Sequence, residues 1–178
     1  IDPACVVLNA THTHTAPEVS GEGDEFFPEA PTRAGLDLPA RSPADYEAFL
    51  VGRIGDVAIK AWEERRPGRL ATGLGHAVIG HNRRVAYFNG SSAMYGATNT
   101  PEFSHMEGYE DHSLNLIATW DESGALTGLV GNVPCPSQVT ETLYQTSADY
   151  WHETRQELRR RLGGEIFILP QCSAAGDL

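Results

Sequence analysis

A β-hairpin in the middle of this 178-residue chain constrains its fold more than any other feature. Residues 112–120 alternate between polar and apolar side chains, and the apolar face consists of Leu114, Leu116, Ala118 and Trp120. The turn Asp121–Gly124 leads into a second apolar segment over residues 125–133. Alternation that runs into a glycine-containing turn is typical of antiparallel strands. The sequence therefore predicts a β-hairpin over residues 112–133.

A helix is predicted before this hairpin, from Ser42 to about Glu64. Ser42 is placed to cap it, Pro43 lies in its first turn, and Arg65-Arg66-Pro67-Gly68 ends it. Its apolar residues recur mostly three or four positions apart, and they are Tyr46, Phe49, Leu50, Ile54, Val57, Ala58, Ala61 and Trp62. This spacing indicates an amphipathic helix with one buried stripe.

A second helix is predicted after the hairpin, with Ser147 as its cap and Gly163-Gly164 as its end. Its buried stripe is expected at Trp151, Leu158 and Leu162. Apolar runs predict further strands over residues 4–10, 70–79 and 165–169, and long irregular stretches separate the elements over residues 11–41 and 80–111. This order predicts an α/β (α+β layered) domain, in which helices flank a mixed β-sheet.

Composition excludes several classes of protein. The chain has 24 acidic and 13 basic residues, and its net charge of −11 has the wrong sign for binding nucleic acid through the phosphate backbone. No apolar run is long enough to span a bilayer, so we expect no integral membrane segment, and residues 1–10 lack the basic-then-apolar layout of a signal peptide. Cys5, Cys135 and Cys172 form neither a disulfide framework nor a CxxC zinc motif.

Because an apolar run begins almost at once and the chain stops just after another, we expect an interior piece of a longer protein.

Two histidines follow the first predicted strand, within residues 11–17 (Thr-His-Thr-His-Thr-Ala-Pro). Positions two apart project to the same side of an extended chain, so His12 and His14 are expected to converge on one point. Imidazole binds zinc and copper, and it also transfers protons near neutral pH. The pattern is therefore compatible with a metal site, with acid–base chemistry, or with two structural histidines that form hydrogen bonds.

Two further segments carry groups with possible chemistry. Arg83, in His81-Asn82-Arg83-Arg84, offers a planar fork of donors suited to a carboxylate or an oxyanion, although a solvated basic turn gives the same pattern. Cys135 lies between two prolines, where it is either a soft metal ligand or a buried inert thiol. Ser173 lacks the GxSxG context of a hydrolase nucleophile.

Taken in order, these segments resemble the amino-terminal catalytic domain of the neutral/alkaline, non-lysosomal ceramidases. Residues 6–17 resemble the apolar strand of that family and its THTHSGP motif, and residues 82–89 resemble its NRSP segment. The hairpin is similar to the strand pair that leads to an NFACHPT-like metal segment. Residues 147–150 (Ser-Ala-Asp-Tyr) resemble the SADYPG helix start, and residues 175–177 (Ala-Gly-Asp) resemble the opening of the GDVSP loop. The resemblance implies that residues 1–178 are one ceramidase-like domain, incomplete at both ends.

The resemblance implies a zinc-dependent hydrolase that cleaves the amide bond of ceramide by metal-activated water. His12 would be a Zn²⁺ ligand, His14 the acid–base or oxyanion-orienting histidine, and Arg83 the active-site arginine. The family places its second zinc histidine where this chain has Cys135-Pro136. Cys135 could replace that ligand as a thiolate, a histidine could reach in from elsewhere (His105 or His112), or the site could hold no metal.

Five other expectations follow from the residues and the resemblance. A lipid or another small amide is the expected substrate, and members of the family are often secreted or periplasmic. The main alternative to the zinc hydrolase is a metal-free homologue that serves as a binding or structural module. The third hypothesis is an enzyme that uses Cys135 as its nucleophile. The acidic residues of the 11–41 stretch either disfavour anionic substrates at the mouth of the site or form a solvated loop.

Overall fold

The computed structural model describes residues 2–17, 19, 43–143 and 145–178, and these form two α-helices and seven β-strands. The helices are α1 (Pro43–Glu63) and α2 (Trp151–Leu162). The strands are β1 (Gly68–His76), β2 (Arg84–Tyr87), β3 (Ser92–Met94), β4 (Phe103–Met106), β5 (Ser113–Asp121), β6 (Leu126–Val133) and β7 (Phe167–Cys172). Short 3-10 helices occur at Pro3–Cys5 and Glu141–Leu143.

The main sheet has the strand order β1-β5-β6-β7. β1, β5 and β6 pair antiparallel, whereas β6 and β7 run parallel. The sheet is therefore mixed, which confirms the predicted fold class. The hairpin is also confirmed: β5 and β6 are joined by the predicted turn, where Gly124 has a φ of 86° and the Asp121 carboxylate accepts hydrogen bonds from Ser123 Oγ and Ala125 N.

A second sheet, with the order β3-β2-β4, occupies part of the stretch that was predicted to be irregular. That prediction was wrong because strands of three or four residues are too short to display a clear period of two. The bounds of two other strands also differ. β1 begins at Gly68 rather than Leu70 and ends at His76, and β7 extends to Cys172 rather than Leu169.

The strand predicted over residues 4–10 is absent, although all seven of these residues are described. The side chain of Asp2 accepts a hydrogen bond from Ala4 N and caps a 3-10 turn there, while Val7 and Leu8 are 84% and 75% exposed. The segment lies beside β7 but bonds to it through a side chain. Asn9 Nδ2 donates to Cys172 O, and Asn9 Oδ1 accepts from Cys172 N, each at 3.1 Å.

Both helices differ in detail from the prediction. Ser42 and the acidic residues of the 11–41 stretch lie outside the described residues, with Pro43 as the first described residue of α1. The expected stripe of α1 is largely exposed, and only Pro43 is buried in this helix. α2 begins four residues after Ser147, so Ser147 is not its cap, and Ser147 Oγ instead accepts a hydrogen bond from Asp149 N. Gly163 ends α2 as predicted, with a φ of 74°.

The core lies between α2 and one face of the main sheet. Val133, Cys135 and Trp151 form its buried cluster, and Leu114 and Tyr150 pack against it. Within the expected stripe of α2, Trp151 is buried, Leu158 is half-buried and Leu162 is exposed. An apolar cavity of about 370 Å³ remains between α2 and the sheet. Within the described ranges, no helix is long and apolar enough to cross a membrane.

Gly131 in β6 offers a way to improve this packing. A Cβ atom at Gly131 would lie 3.7 Å from the Trp151 ring and 4.0 Å from Leu116, which is ordinary van der Waals contact. Gly131→Ala is therefore expected to raise the free energy of unfolding by about 0.5–1 kcal/mol, because alanine also restricts the unfolded chain. Urea unfolding monitored by circular dichroism measures this change.

Gly68→Ala is the matched control, because a Cβ atom there would lie only 2.5 Å from the main-chain oxygen of Trp120. This substitution is expected to lower the free energy of unfolding. If Gly131→Ala were as destabilising as Gly68→Ala, the described contact between β6 and α2 would be wrong.

Candidate active site

The candidate site lies at the carboxyl ends of β6 and β7. Because these two strands are parallel and adjacent, the segments that follow Val133 and Cys172 leave the sheet at the same edge. The segment that contains His12 and His14 forms hydrogen bonds with the segment that follows Val133. His14 N donates to Ser137 O, and Ser137 N donates to Thr11 O, both at 3.1 Å. Three segments distant in sequence therefore meet at one edge of the sheet.

Thr15 anchors the other end of the histidine-containing segment. Its side chain is buried, and Thr15 Oγ1 lies 3.1 Å from Ser147 O and 2.9 Å from Ser147 Oγ. Ser147 N also donates to Thr15 O at 3.1 Å. The main chain around both histidines is thus held by hydrogen bonds to two different segments.

The two histidines are adjacent, although the chain between them is not extended. His12 has a φ of 54°, a left-handed conformation that is uncommon for residues other than glycine. The ring centroids of His12 and His14 are 5.0 Å apart, and the ring planes are inclined at 58°. Their proximity agrees with the expectation from the sequence, but a bend produces it rather than strand alternation. Strained non-glycine residues of this kind often occur at functional sites.

His12 lines a cavity of about 170 Å³ at this edge of the sheet. The other lining residues are Ala10, Pro136, Cys172, Ser173, Ala175 and Gly176. The sequence analysis did not assign Cys172 to the site, because its position depends on which strand neighbours β6. Burial raises the pKa of the Cys172 thiol, so the thiol form is favoured at neutral pH.

Glu141 is the partner of His14, with Nδ1 and Oε2 2.8 Å apart. Glu141 begins the 3-10 helix Glu141–Leu143, which follows the Pro136–Gln138 bend. The side chains of His14 and Glu141 are 37% and 41% exposed. Sequence reasoning did not identify Glu141, because no motif or local spacing relates two residues so far apart in the chain.

Arg83 is held against the loop that lines the His12 cavity. Arg83 N donates to Asp177 O at 2.8 Å, and Arg83 Nη2 donates to Gly176 O at 3.0 Å. Arg83 Nη1 also donates to the hydroxyl of Tyr95, with the guanidinium 5.0 Å from the Tyr95 ring centroid. The half-buried Arg83 is therefore held in place against this loop and is not a solvated turn residue.

Asn82 fixes the turn that carries Arg83. Its side chain is buried, with Nδ2 donating to Asp177 Oδ2 at 2.9 Å and to Glu107 O, while Oδ1 accepts from Arg84 N at 2.8 Å. Asn82 N donates to Glu110 Oε1 at 2.6 Å. The main-chain N, Nδ2 and Oδ1 of Asn82 are thus all engaged in hydrogen bonds, which fix the start of the turn.

The carboxylate of Glu110 also lies close to the side chains of two histidines, His81 and His112. Glu110 Oε2 lies 3.4 Å from His112 Nε2 and 3.5 Å from His81 Nδ1. The hydrogen bond from Asn82 N, followed by the interaction with His81, lowers the pKa of the Glu110 carboxyl. His112 therefore belongs to this cluster. The other suggested replacement ligand, His105, lies on β4 with its Nδ1 3.0 Å from Ser104 Oγ, and neither residue lines the His12 cavity.

Cys135 occupies the core instead of the cavity wall. Its Sγ atom lies 3.6 Å from Pro136 O and packs beside Gly80. Burial raises the pKa of the Cys135 thiol, which disfavours the thiolate that both a nucleophile and a metal ligand require. The structure brings His12, His14 and Arg83 to one set of loops, and it does not bring Cys135 into the wall of the same cavity.

The described residues match the ligand set of a catalytic zinc ion only in part. Such a site uses three protein ligands, and an imidazole in the wall of a cavity, such as that of His12, is one suitable ligand. Over residues 2–17, 19, 43–143 and 145–178, no three His, Cys, Asp or Glu side chains are grouped so that they could hold a metal ion. A complete set would need ligands from other parts of the protein.

No protein-family model matches this sequence, and no curated protein matches it. Two similar solved structures are ceramidases. Neutral ceramidase from Pseudomonas aeruginosa is 16% identical, with a TM-score of 0.49 over 74% of this chain and 20% of the ceramidase chain. A ceramidase complexed with C2 is 18% identical, with a TM-score of 0.44 over 67% of this chain and 18% of the other. The chain thus spans about a fifth of the length of these ceramidases.

Proposed function

We propose that this chain carries part of the active site of a zinc-dependent amidohydrolase that cleaves ceramide or a related N-acyl lipid. The observation that carries the proposal is the meeting of three segments that each resemble a ceramidase motif. His12 and His14 come from the first, Arg83 from the second, and the loop with Gly176 from the third. Residues 1–178 would then form one ceramidase-like unit of the catalytic domain.

The chemistry of each group fits amide hydrolysis. A bound zinc ion lowers the pKa of its water ligand to about 7 and polarises the substrate carbonyl. His12 would be one of its ligands, and the other ligands would lie outside the described residues. His14, whose ring is adjacent to that of His12, would give a proton to the departing amine.

Arg83 has a separate role in this proposal. Its guanidinium keeps its positive charge at every physiological pH and is fixed by Gly176 O and by the Tyr95 hydroxyl. A fixed cation beside the cavity would stabilise the negative charge that develops on the carbonyl oxygen in the transition state. It would also bind the fatty acid carboxylate after the amide bond is broken.

Measurement of metal content and amide hydrolysis on the same preparation tests the proposal. We expect about one zinc ion per molecule of the whole protein and release of fatty acid from an N-acyl lipid. Removal of the metal with a chelator should abolish hydrolysis, and Zn²⁺ should restore it where Mg²⁺ does not. Continued hydrolysis after stoichiometric loss of zinc would contradict the metal-dependent mechanism. A protein that binds no metal and hydrolyses no amide would instead be the binding or structural module.

A further inference from the structure

We infer that Glu141 is a positioning residue that fixes the orientation and the tautomer of the His14 ring. The inference deepens the proposed function and rests on it, since His14 is the proton-transfer group there. The observation that carries it is the 2.8 Å separation between His14 Nδ1 and Glu141 Oε2. This distance is within the usual range for a hydrogen bond to a charged carboxylate.

The chemistry of the two groups determines which nitrogen carries the hydrogen. An ionised carboxylate only accepts hydrogen bonds, so Nδ1 of His14 has to be the donor. In the neutral imidazole the other nitrogen, Nε2, then holds the lone pair. Glu141 thereby makes Nε2 the atom that accepts a proton and later releases it. A ring rotated by 180° would place a carbon atom beside the carboxylate and lose the hydrogen bond.

The contact orients the ring and has little influence on folding. Hydrogen bonds to Ser137 and Ser147 hold the main chain at His14 and Thr15, without any contribution from Glu141. A contact as exposed as that between His14 and Glu141 adds little to stability, because water competes for both groups. The ring of His14, however, depends on its partner for orientation. Removal of a residue that forms a hydrogen bond with the far nitrogen of a functional histidine commonly lowers activity about 10- to 100-fold.

Nuclear magnetic resonance of ¹⁵N-labelled histidine side chains tests the inference without any substrate. For the neutral ring of His14 we expect the Nδ1–H form. In Glu141→Ala the population should shift towards the Nε2–H form, which is the major tautomer of free histidine. Glu141→Gln retains an acceptor oxygen and should keep part of the Nδ1–H population. Loss of the His14 signals in His14→Gln identifies them.

Glu122→Ala is the matched control, because it removes an equivalent exposed carboxylate from the hairpin turn. It should leave the tautomer of His14 unchanged. The inference is wrong if His14 has the same tautomer in wild type and Glu141→Ala, or if Glu122→Ala shifts it equally.

Kinetics separate this inference from the proposed function. For the N-acyl lipid, Glu141→Ala should lower kcat by about 10- to 100-fold with little change in KM, and Glu141→Gln should recover part of the loss. A tautomer shift in a protein without amide hydrolysis would overturn the proposed function and leave the positioning role intact. Full activity in Glu141→Ala with an unchanged tautomer would overturn the positioning role and leave the proposed function intact.

Discussion

Replacement of His12 by alanine is expected to lower kcat/KM for N-acyl lipid hydrolysis by about a thousand-fold or more. His12 is the imidazole in the wall of the cavity at the carboxyl ends of β6 and β7. In the proposed function His12 is a zinc ligand, and loss of such a ligand would remove several kcal/mol of transition-state stabilisation, where each 1.36 kcal/mol is a factor of about ten in rate. The measurements are steady-state kinetics and the zinc content of the purified variant, which should fall together.

Two further variants make the result specific. His12→Gly removes the same imidazole but accepts the left-handed φ of 54° without strain, so it should be as inactive as His12→Ala and no less stable. His105→Ala removes an exposed histidine from β4 and should keep wild-type activity and zinc. Activity of His12→Gly within tenfold of wild type, in a folded protein, would rule out His12 as a ligand.

Asn82→Asp is expected to have the largest effect on stability, with a loss of roughly 3–5 kcal/mol at neutral pH. Asn82 Nδ2 donates to Asp177 Oδ2 and to Glu107 O. The substitution replaces this donor with a carboxylate oxygen, which would face one charged oxygen and one carbonyl oxygen. Its negative charge would be buried close to that of Asp177, because Asn82 is only 6% exposed, and the hydrogen bond from Arg84 N to the other oxygen would offset only part of this cost.

The sign of the pH dependence distinguishes this mechanism from simple loss of packing. Burial and the neighbouring carboxylates of Asp177 and Glu110 are expected to raise the pKa of the introduced carboxyl in the folded state above its unfolded value of about 3.9. The penalty is therefore absent below about pH 3.9, where both states are protonated. It grows as pH rises from there to the folded-state pKa. Urea unfolding from pH 3 to pH 8, compared with wild type, measures it.

Matched substitutions complete this experiment. Asn82→Ala also loses the hydrogen bonds but introduces no charge, so its cost of about 1–3 kcal/mol should not vary with pH in the same way. Asn89→Asp places the same charge on an exposed turn and should change the free energy of unfolding by less than about 0.5 kcal/mol. Equal losses for Asn82→Asp and Asn89→Asp would contradict the described environment of Asn82.

The parts of the fold that the sequence predicts are those specified by local patterns. The hairpin follows from alternation and a turn with Asp121 and Gly124, and the end of α2 follows from Gly163. The strand expected over residues 4–10 fails because an apolar run does not reveal that Asp2 caps a 3-10 turn there, or that the segment bonds to β7 through the Asn9 side chain rather than through its main chain. The short strands β2, β3 and β4 form a sheet through contacts between distant residues, and three or four residues carry too little pattern to predict this.

The same distinction applies to the candidate site. His12, His14 and Arg83 lie in short motifs, so the sequence singles them out, and the structure brings them to adjoining loops. Glu141 and Cys172 lie in no such motif. Their positions depend on a 3-10 turn and on the parallel pairing of β6 with β7, which are properties of the folded chain.

The side chain of Asn9 determines whether the main-chain groups of Cys172 in β7 can pair with another strand. Among the described strands, β7 lies at one edge of the main sheet, and exposed edge strands can pair with other strands through their unpaired main-chain groups. The Asn9 amide bonds both the N–H and the C=O of Cys172, so neither group is available to pair with an additional strand. A single asparagine side chain thus takes the place of a neighbouring strand at the end of β7 nearest the cavity.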